Sequence, residues 1–145
     1  MFGGQLVLGT LIVVITVFFH IVCLVCLAGL LRRCVNNHPA LRKTAGTILV
    51  LGLSVTALIV VHTVEAWGWA VVYVALGEFG DMSTALYFSV VTATTVGYGD
   101  LVLSRDWQIL GSFESIGGWI LFGTSTAFLL GVMRGLFRES TDWFH

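Results

Sequence analysis

Charge is what this sequence has least of. Only 10% of its 145 residues are Asp, Glu, Lys or Arg. Soluble domains carry about a quarter, so an ordinary soluble enzyme is excluded. Seven Lys plus Arg against eight Asp plus Glu leave a net charge of −1. Without a basic excess there is no electrostatic footprint for nucleic acid. A single proline excludes a proline-rich linker, and the composition is not that of a disordered chain. The three cysteines, Cys23, Cys26 and Cys34, are an odd count at no disulfide-framework spacing. No segment repeats arginine at every third position, which excludes a voltage-sensing helix. What remains is 57% hydrophobic, with a mean hydropathy of +0.97. That is an integral membrane protein of one domain's length.

A bilayer-spanning helix needs about 20 mostly apolar residues, and three stretches qualify. The first, 5–31, contains no formal charge. The second begins near Thr44, meets its first charge at Glu65 and continues to Val74. The third, 107–133, carries Glu114 alone. A fourth stretch, 82–94, is too short to cross, since about 12 residues reach only about 18 Å. Its length suits a re-entrant helix that enters and leaves on one side. The first stretch is longer than a signal-peptide core, and its positive charges follow it, so it is expected to be retained.

Basic residues set the orientation. Arg32, Arg33, Arg42 and Lys43 fall between the first two spans, and Arg134 and Arg138 follow the third. Glu78, Asp81, Asp100 and Asp106 lie on the opposite face with Arg105. The expectation is an N-terminus outside and a C-terminus in the cytoplasm of a cell membrane. Trp67, Trp69, Tyr73 and Trp107 are expected to form an outer aromatic belt. The basic loop is expected to attract anionic lipid secondarily.

Between the second and third spans stands Thr94-Thr95-Val96-Gly97-Tyr98-Gly99-Asp100. A metal ion leaving water must exchange its hydration oxygens for others of similar number and field. Backbone carbonyls can supply them if successive residues turn the same way, which needs left-handed backbone that Gly97 and Gly99 adopt at little cost. Non-helical backbone inside a membrane is tolerated only where it lines a water- or ion-filled path. The run 95–99 resembles the selectivity filter of potassium channels, and the likeness extends from about Ala85 to Asp100 and less sharply over both flanking helices. The chain is thus similar to the prokaryotic potassium-channel family.

That resemblance implies an all-α membrane protein assembled as a homotetramer, each chain giving three spans, a re-entrant pore helix and a filter loop. Residues 1–43 would add a peripheral helix and basic loop to a pore module, 44–145, made of an outer helix (44–75), pore helix (82–94), filter (95–99) and inner helix (107–135). Carbonyls of Thr95, Val96, Gly97 and Tyr98, with the Thr95 hydroxyl, would hold K⁺. Val96 and Tyr98 would point away from the axis, Tyr98 towards Tyr87 and Phe88. Three positions depart from the family pattern. Val91 stands where some members carry glutamate, Leu103 where proline is usual, and Tyr87 where tryptophan is common, although its hydroxyl could still donate to Asp100.

In the inner helix, Gly117, Gly118, Gly123 and Gly131 suit either bending or close packing. The resemblance puts a hinge within one residue of Gly118. Thr124, Ala127 and Phe128 are candidates for the inner cavity or a constriction. His62 and Glu65 share a helix face, and Glu114 is expected at similar depth, a cluster that could be structural or could bias gating by protonation. Two ligands without further partners do not make a metal site. His20 reads as a lone packed or helix-bonded residue, and Cys23 and Cys26 as small packing residues. About a dozen residues follow the third span, too few for a ligand-binding gating domain. The function expected is passive K⁺ conduction, with K⁺ in the filter, no organic cofactor, no enzymatic activity and no partner besides lipid and further copies of the chain. A weakly selective cation channel, a potassium-transporter subunit and a purely structural membrane protein stay open as alternatives.

Overall fold

The computed structural model describes residues 2–138. The expectation of a short C-terminal tail therefore concerns residues that lie mostly outside the described ones. The described chain is helical throughout its regular structure. It comprises α1 (Phe2–Asn37), a single 3₁₀ turn (Pro39–Arg42), α2 (Thr44–Ala75), α3 (Met82–Ala93) and α4 (Gln108–Arg138). Three helices are long and apolar enough to cross a membrane. The fourth, α3, has 12 residues and is not.

Local sequence sets the boundaries. α1 runs past its apolar core through Arg32 and Arg33, which are good helix formers, and stops before Pro39. Proline disfavours the helical region for the residue before it, and His38 sits at φ −130°, ψ 85°. α2 closes on Gly77, at φ 76°. The Glu78 amide donates to the Tyr73 carbonyl and the Gly77 amide to Val74, each at 3.0 Å, the paired bonds of a Schellman cap. α3 begins at Asp81, whose carboxylate accepts from the Thr84 amide at 2.9 Å and the Thr84 hydroxyl at 2.7 Å. This N-cap satisfies an amide that has no partner within the helix.

The core lies where α2, α3 and the start of α4 meet. It is built from Trp69, Ala70 and Tyr73 of α2, Ala85 and Phe88 of α3, and Leu103 and Leu110. The Tyr73 and Phe88 rings meet edge to face, with centroids 5.1 Å apart, the arrangement favoured by ring quadrupoles. Trp69 and Tyr73 therefore do not stand in an interfacial belt as their composition suggested. They are 4% and 0% exposed, because they lie on the face of α2 that covers α3. Leu103 is a buried core residue.

α1 packs mainly along α4. Gly9 leaves room for the Phe113 ring, which a Cβ there would meet at 2.7 Å. Gly117 of α4 receives Val13 in the same way, at 3.4 Å. The Gln5 side-chain oxygen accepts the Ile109 amide at 3.2 Å, capping the first turn of α4. Outside these contacts, Val7, Leu11, Phe18, Val22 and Val25 of α1 are exposed, as lipid-facing residues are.

Candidate functional site

The loop after α3 carries backbone of unusual form. Thr95, Gly97 and Gly99 have φ of 59°, 56° and 76°, while the intervening Val96 and Tyr98 do not enter the left-handed region. An extended strand turns successive carbonyls to opposite sides, and alternating the hand of the backbone turns them to the same side. Threonine in the left-handed region is uncommon. It occurs here because α3 ends as α2 does. The Val96 amide donates to the Val91 carbonyl at 3.0 Å and the Thr95 amide to Thr92 at 3.0 Å, a second Schellman cap. Thr95 occupies the position that Gly77 holds after α2. Motif reading singled out the two glycines and missed this third left-handed residue.

The cap employs carbonyls within α3 and leaves those of the loop alone. Among the described residues, no hydrogen bond reaches the carbonyls of Thr95, Val96, Gly97 or Tyr98. All residues of 94–100 are exposed on the single chain, and Tyr98 is 71% exposed. The loop is held from its flanks instead. The Tyr87 hydroxyl donates to Asp100 at 2.7 Å, and Thr94 donates to the Val90 carbonyl at 2.6 Å. Glu78 accepts from both the amide and the hydroxyl of Ser104 at 2.7 Å, tying the end of α2 to the segment before α4. Hydrogen bonds to Asp81 hold its carboxyl below the ordinary aspartate range, the Thr84 hydroxyl contributing most.

The lower end of α3 rests on a small-residue strip of α4. Gly111 lies against Leu103, Phe88 and Thr92, and Ser115 donates to the Thr92 carbonyl at 3.0 Å. A Cβ at Gly118 would collide with the Ala93 carbonyl oxygen. Gly118 thus has a packing role in this structure. Gly123 and Gly131 have nothing near a notional Cβ. Phe128 is half-buried and lines a groove with Ala28 and Leu31 of α1 and Val50 of α2.

The ionisable cluster divides differently from the sequence expectation. His62 Nδ1 is 3.0 Å from Glu65 Oε2, but Glu114 is not bonded to either. Tyr73 donates to Glu114 at 2.6 Å, and the Ser89 hydroxyl bonds its other oxygen. The place expected for Glu114 is taken by His20, which is not alone. His20 Nδ1 meets Glu65 Oε1 at 2.8 Å, and the Nε2 atoms of His20 and His62 meet Ser125 Oγ at 3.1 and 3.0 Å. Ser89 also lies 3.0 Å from the Ala66 carbonyl. Two polar groups, one of His20, His62, Glu65 and Ser125 and one of Tyr73, Ser89 and Glu114, together form a seam touching all four helices, with no buried side-chain polar atom unpartnered among the described residues. His20 was detectable as an ionisable group in an otherwise uncharged span. Ser125 and Ser89 gave no such signal.

A family model described as an ion channel matches residues 48–134, more than half of the chain, with α1 outside the match. No curated protein and no solved structure matches the chain.

Proposed function

The chain belongs to this ion-channel family, and from that premise we propose that it forms a homotetrameric, potassium-selective channel conducting passively across a cell membrane. Three apolar helices and the family match make it a multi-pass membrane protein. The observation that carries the finer reading is the run of four unbonded carbonyls, Thr95 to Tyr98, on backbone of alternating hand.

A buried carbonyl without a partner is costly, and a membrane supplies no water to satisfy it. Four such loops around an axis would satisfy one another through a shared row of dehydrated cations. One chain contributes one quarter of each oxygen ring. The C-terminal end of α3 carries about half a negative charge, and four such ends would favour a cation at the inner mouth. At the outer mouth, Glu78, Asp81 and Asp100 repeated by symmetry would raise the local cation concentration. The N-terminus then faces outward and the C-terminus the cytoplasm, with the basic 32–43 region at anionic lipid.

Ion flux from liposomes containing the purified protein tests this reading. K⁺ flux far exceeding Na⁺ flux is expected, together with a four-chain particle. Gly97→Ala should reduce K⁺ flux by roughly tenfold or more, because a left-handed non-glycine residue costs about 1–2 kcal/mol in each of four loops. Equal passage of the two ions through the wild type would leave only a general cation channel.

A further inference from the structure

His20 from α1 and His62 and Glu65 from α2 converge on one point inside the membrane-spanning bundle. The ligand atoms they offer all lie within 4.8 Å of one another. The two Nδ1 atoms stand 2.8 and 3.0 Å from the two oxygens of Glu65. Around a tetrahedral ion bonded at about 2.0–2.2 Å, ligand atoms stand roughly 3.4 Å apart. The nitrogen that faces the ligating oxygen therefore needs to withdraw by only about half an ångström to admit an ion, and the second nitrogen lies within the 4.8 Å spanned by the three ligand atoms. Behind the two rings, Ser125 Oγ holds both Nε2 atoms at 3.0–3.1 Å. Metal-binding histidines are oriented in this way, by an oxygen on the nitrogen opposite the ion. A cavity of about 290 Å³ borders His62, Glu65 and Glu114, giving the site an opening on one side.

We propose that His20 Nδ1, His62 Nδ1 and the Glu65 carboxylate bind one divalent transition-metal ion of the Zn²⁺ class. Two imidazoles and one carboxylate select such an ion over Mg²⁺ or Ca²⁺, which take oxygen ligands. A fourth position is left open towards the cavity. The site is complete without the ion as well. Four hydrogen bonds join the two imidazoles, the carboxylate and the serine, and they require four protons, which leaves the ring neutral. The ion replaces the two Nδ1–oxygen bridges. Both Nε2–H groups then donate to Ser125 Oγ, three protons remain, and one is released per ion. Such coupling of metal binding to proton release is general. The bound ion would clamp α1, which lies outside the family match, to α2 and, through Ser125, to α4. The inference is independent of which ion the filter passes.

The test uses the full chain, purified in detergent and stripped of metal, with Co²⁺ as the probe. The expected result is one Co²⁺ per chain, the intense visible absorption of a tetrahedral Co²⁺ ion, displacement by Zn²⁺ and indifference to Mg²⁺. Calorimetry in buffers of different ionisation heat should report one proton released per ion. His20→Gln and His62→Gln should each abolish the tetrahedral spectrum. Ser125→Ala, which retains all three ligands, should weaken binding by roughly 10–100-fold. The proposal is overturned if the wild type binds less than one Co²⁺ per chain or gives an octahedral spectrum, or if His20→Gln keeps the wild-type spectrum. The wild-type measurement alone decides should a variant fail to fold. None of these readouts depends on ion flux.

Discussion

Every residue of 94–100 is exposed on the single chain, whereas Glu114, 1% exposed, has both carboxylate oxygens engaged by Ser89 and Tyr73. Both regions gather polar groups in a chain whose long helices are apolar enough to cross a membrane, and they treat those groups oppositely. The seam recruits side chains from all four helices and is finished within one chain. The loop uses its own amides and flanking side chains for anchorage and leaves a row of carbonyls without partners. A polar region that one chain completes serves to hold helices together. One that a chain leaves incomplete is fitted to whatever completes it, which in the proposed function is further copies of the chain and the ions between them.

The largest effect on this contrast should come from opening the closed region. Glu114→Ala removes the acceptor of Tyr73 and one of the two acceptors of Ser89, which keeps the Ala66 carbonyl. A buried group left without its partner costs about 1–3 kcal/mol, so the thermal midpoint of the protein in lipid nanodiscs should fall by several degrees. Tyr73→Phe, which removes one donor and keeps the rest, should cost less. An unchanged midpoint in Glu114→Ala would mean that the seam contributes nothing to cohesion.

A middle effect is expected where the two regions touch. Gly118→Ala would force the new methyl against the Ala93 carbonyl at the base of the loop, an overpacking cost of about 1–3 kcal/mol. Gly123→Ala meets nothing within 4 Å and should stay within about 0.5 kcal/mol of wild type. Paired melts and K⁺ flux for the two variants separate packing from bending. If Gly118→Ala is as mild as Gly123→Ala, the close seat of α3 on α4 is not a constraint.

The smallest effect belongs to the cap at the outer start of α3. Bonds from Thr84 lower the Asp81 pKa below the ordinary 3.8. Stability from these bonds is therefore fully present above that value and is lost as pH falls through the lower, folded-state value. Asp81→Ala should lower the melting midpoint slightly at neutral pH. The difference from wild type should shrink as pH falls below 3.8 and through the lower, folded-state value. A difference that persists undiminished in acid would show that the carboxylate charge is not its source.

Sequence reasoning reached what is local and stopped where chains of contact are long. Helix type followed from uncharged apolar runs and their lengths, which are local properties of the chain. α3 ends at Ala93, one residue short of the expected 94, because Thr94 is already the cap residue. α4 runs on to Arg138, because nothing in Arg134-Gly135-Leu136-Phe137-Arg138 halts a helix where its apolar stretch stops. The loop was legible because its pattern is contiguous. The seam was not, since His20 meets Glu65 across 45 positions and Ser125 across 105. Periodicity gives the face a side chain shares with its neighbours but not the helix that face will meet. Trp69 and Tyr73 of α2 were misplaced for the same reason.

The Gln5 side chain on the Ile109 amide and His20 on Glu65 and Ser125 give the first helix duties at two levels of the bundle. Trimming the chain to a minimal pair of crossings would strand a helix-start amide at one level and a carboxylate at the other. In this protein the extra crossing is part of the frame, so any bending of α4 has to carry it along.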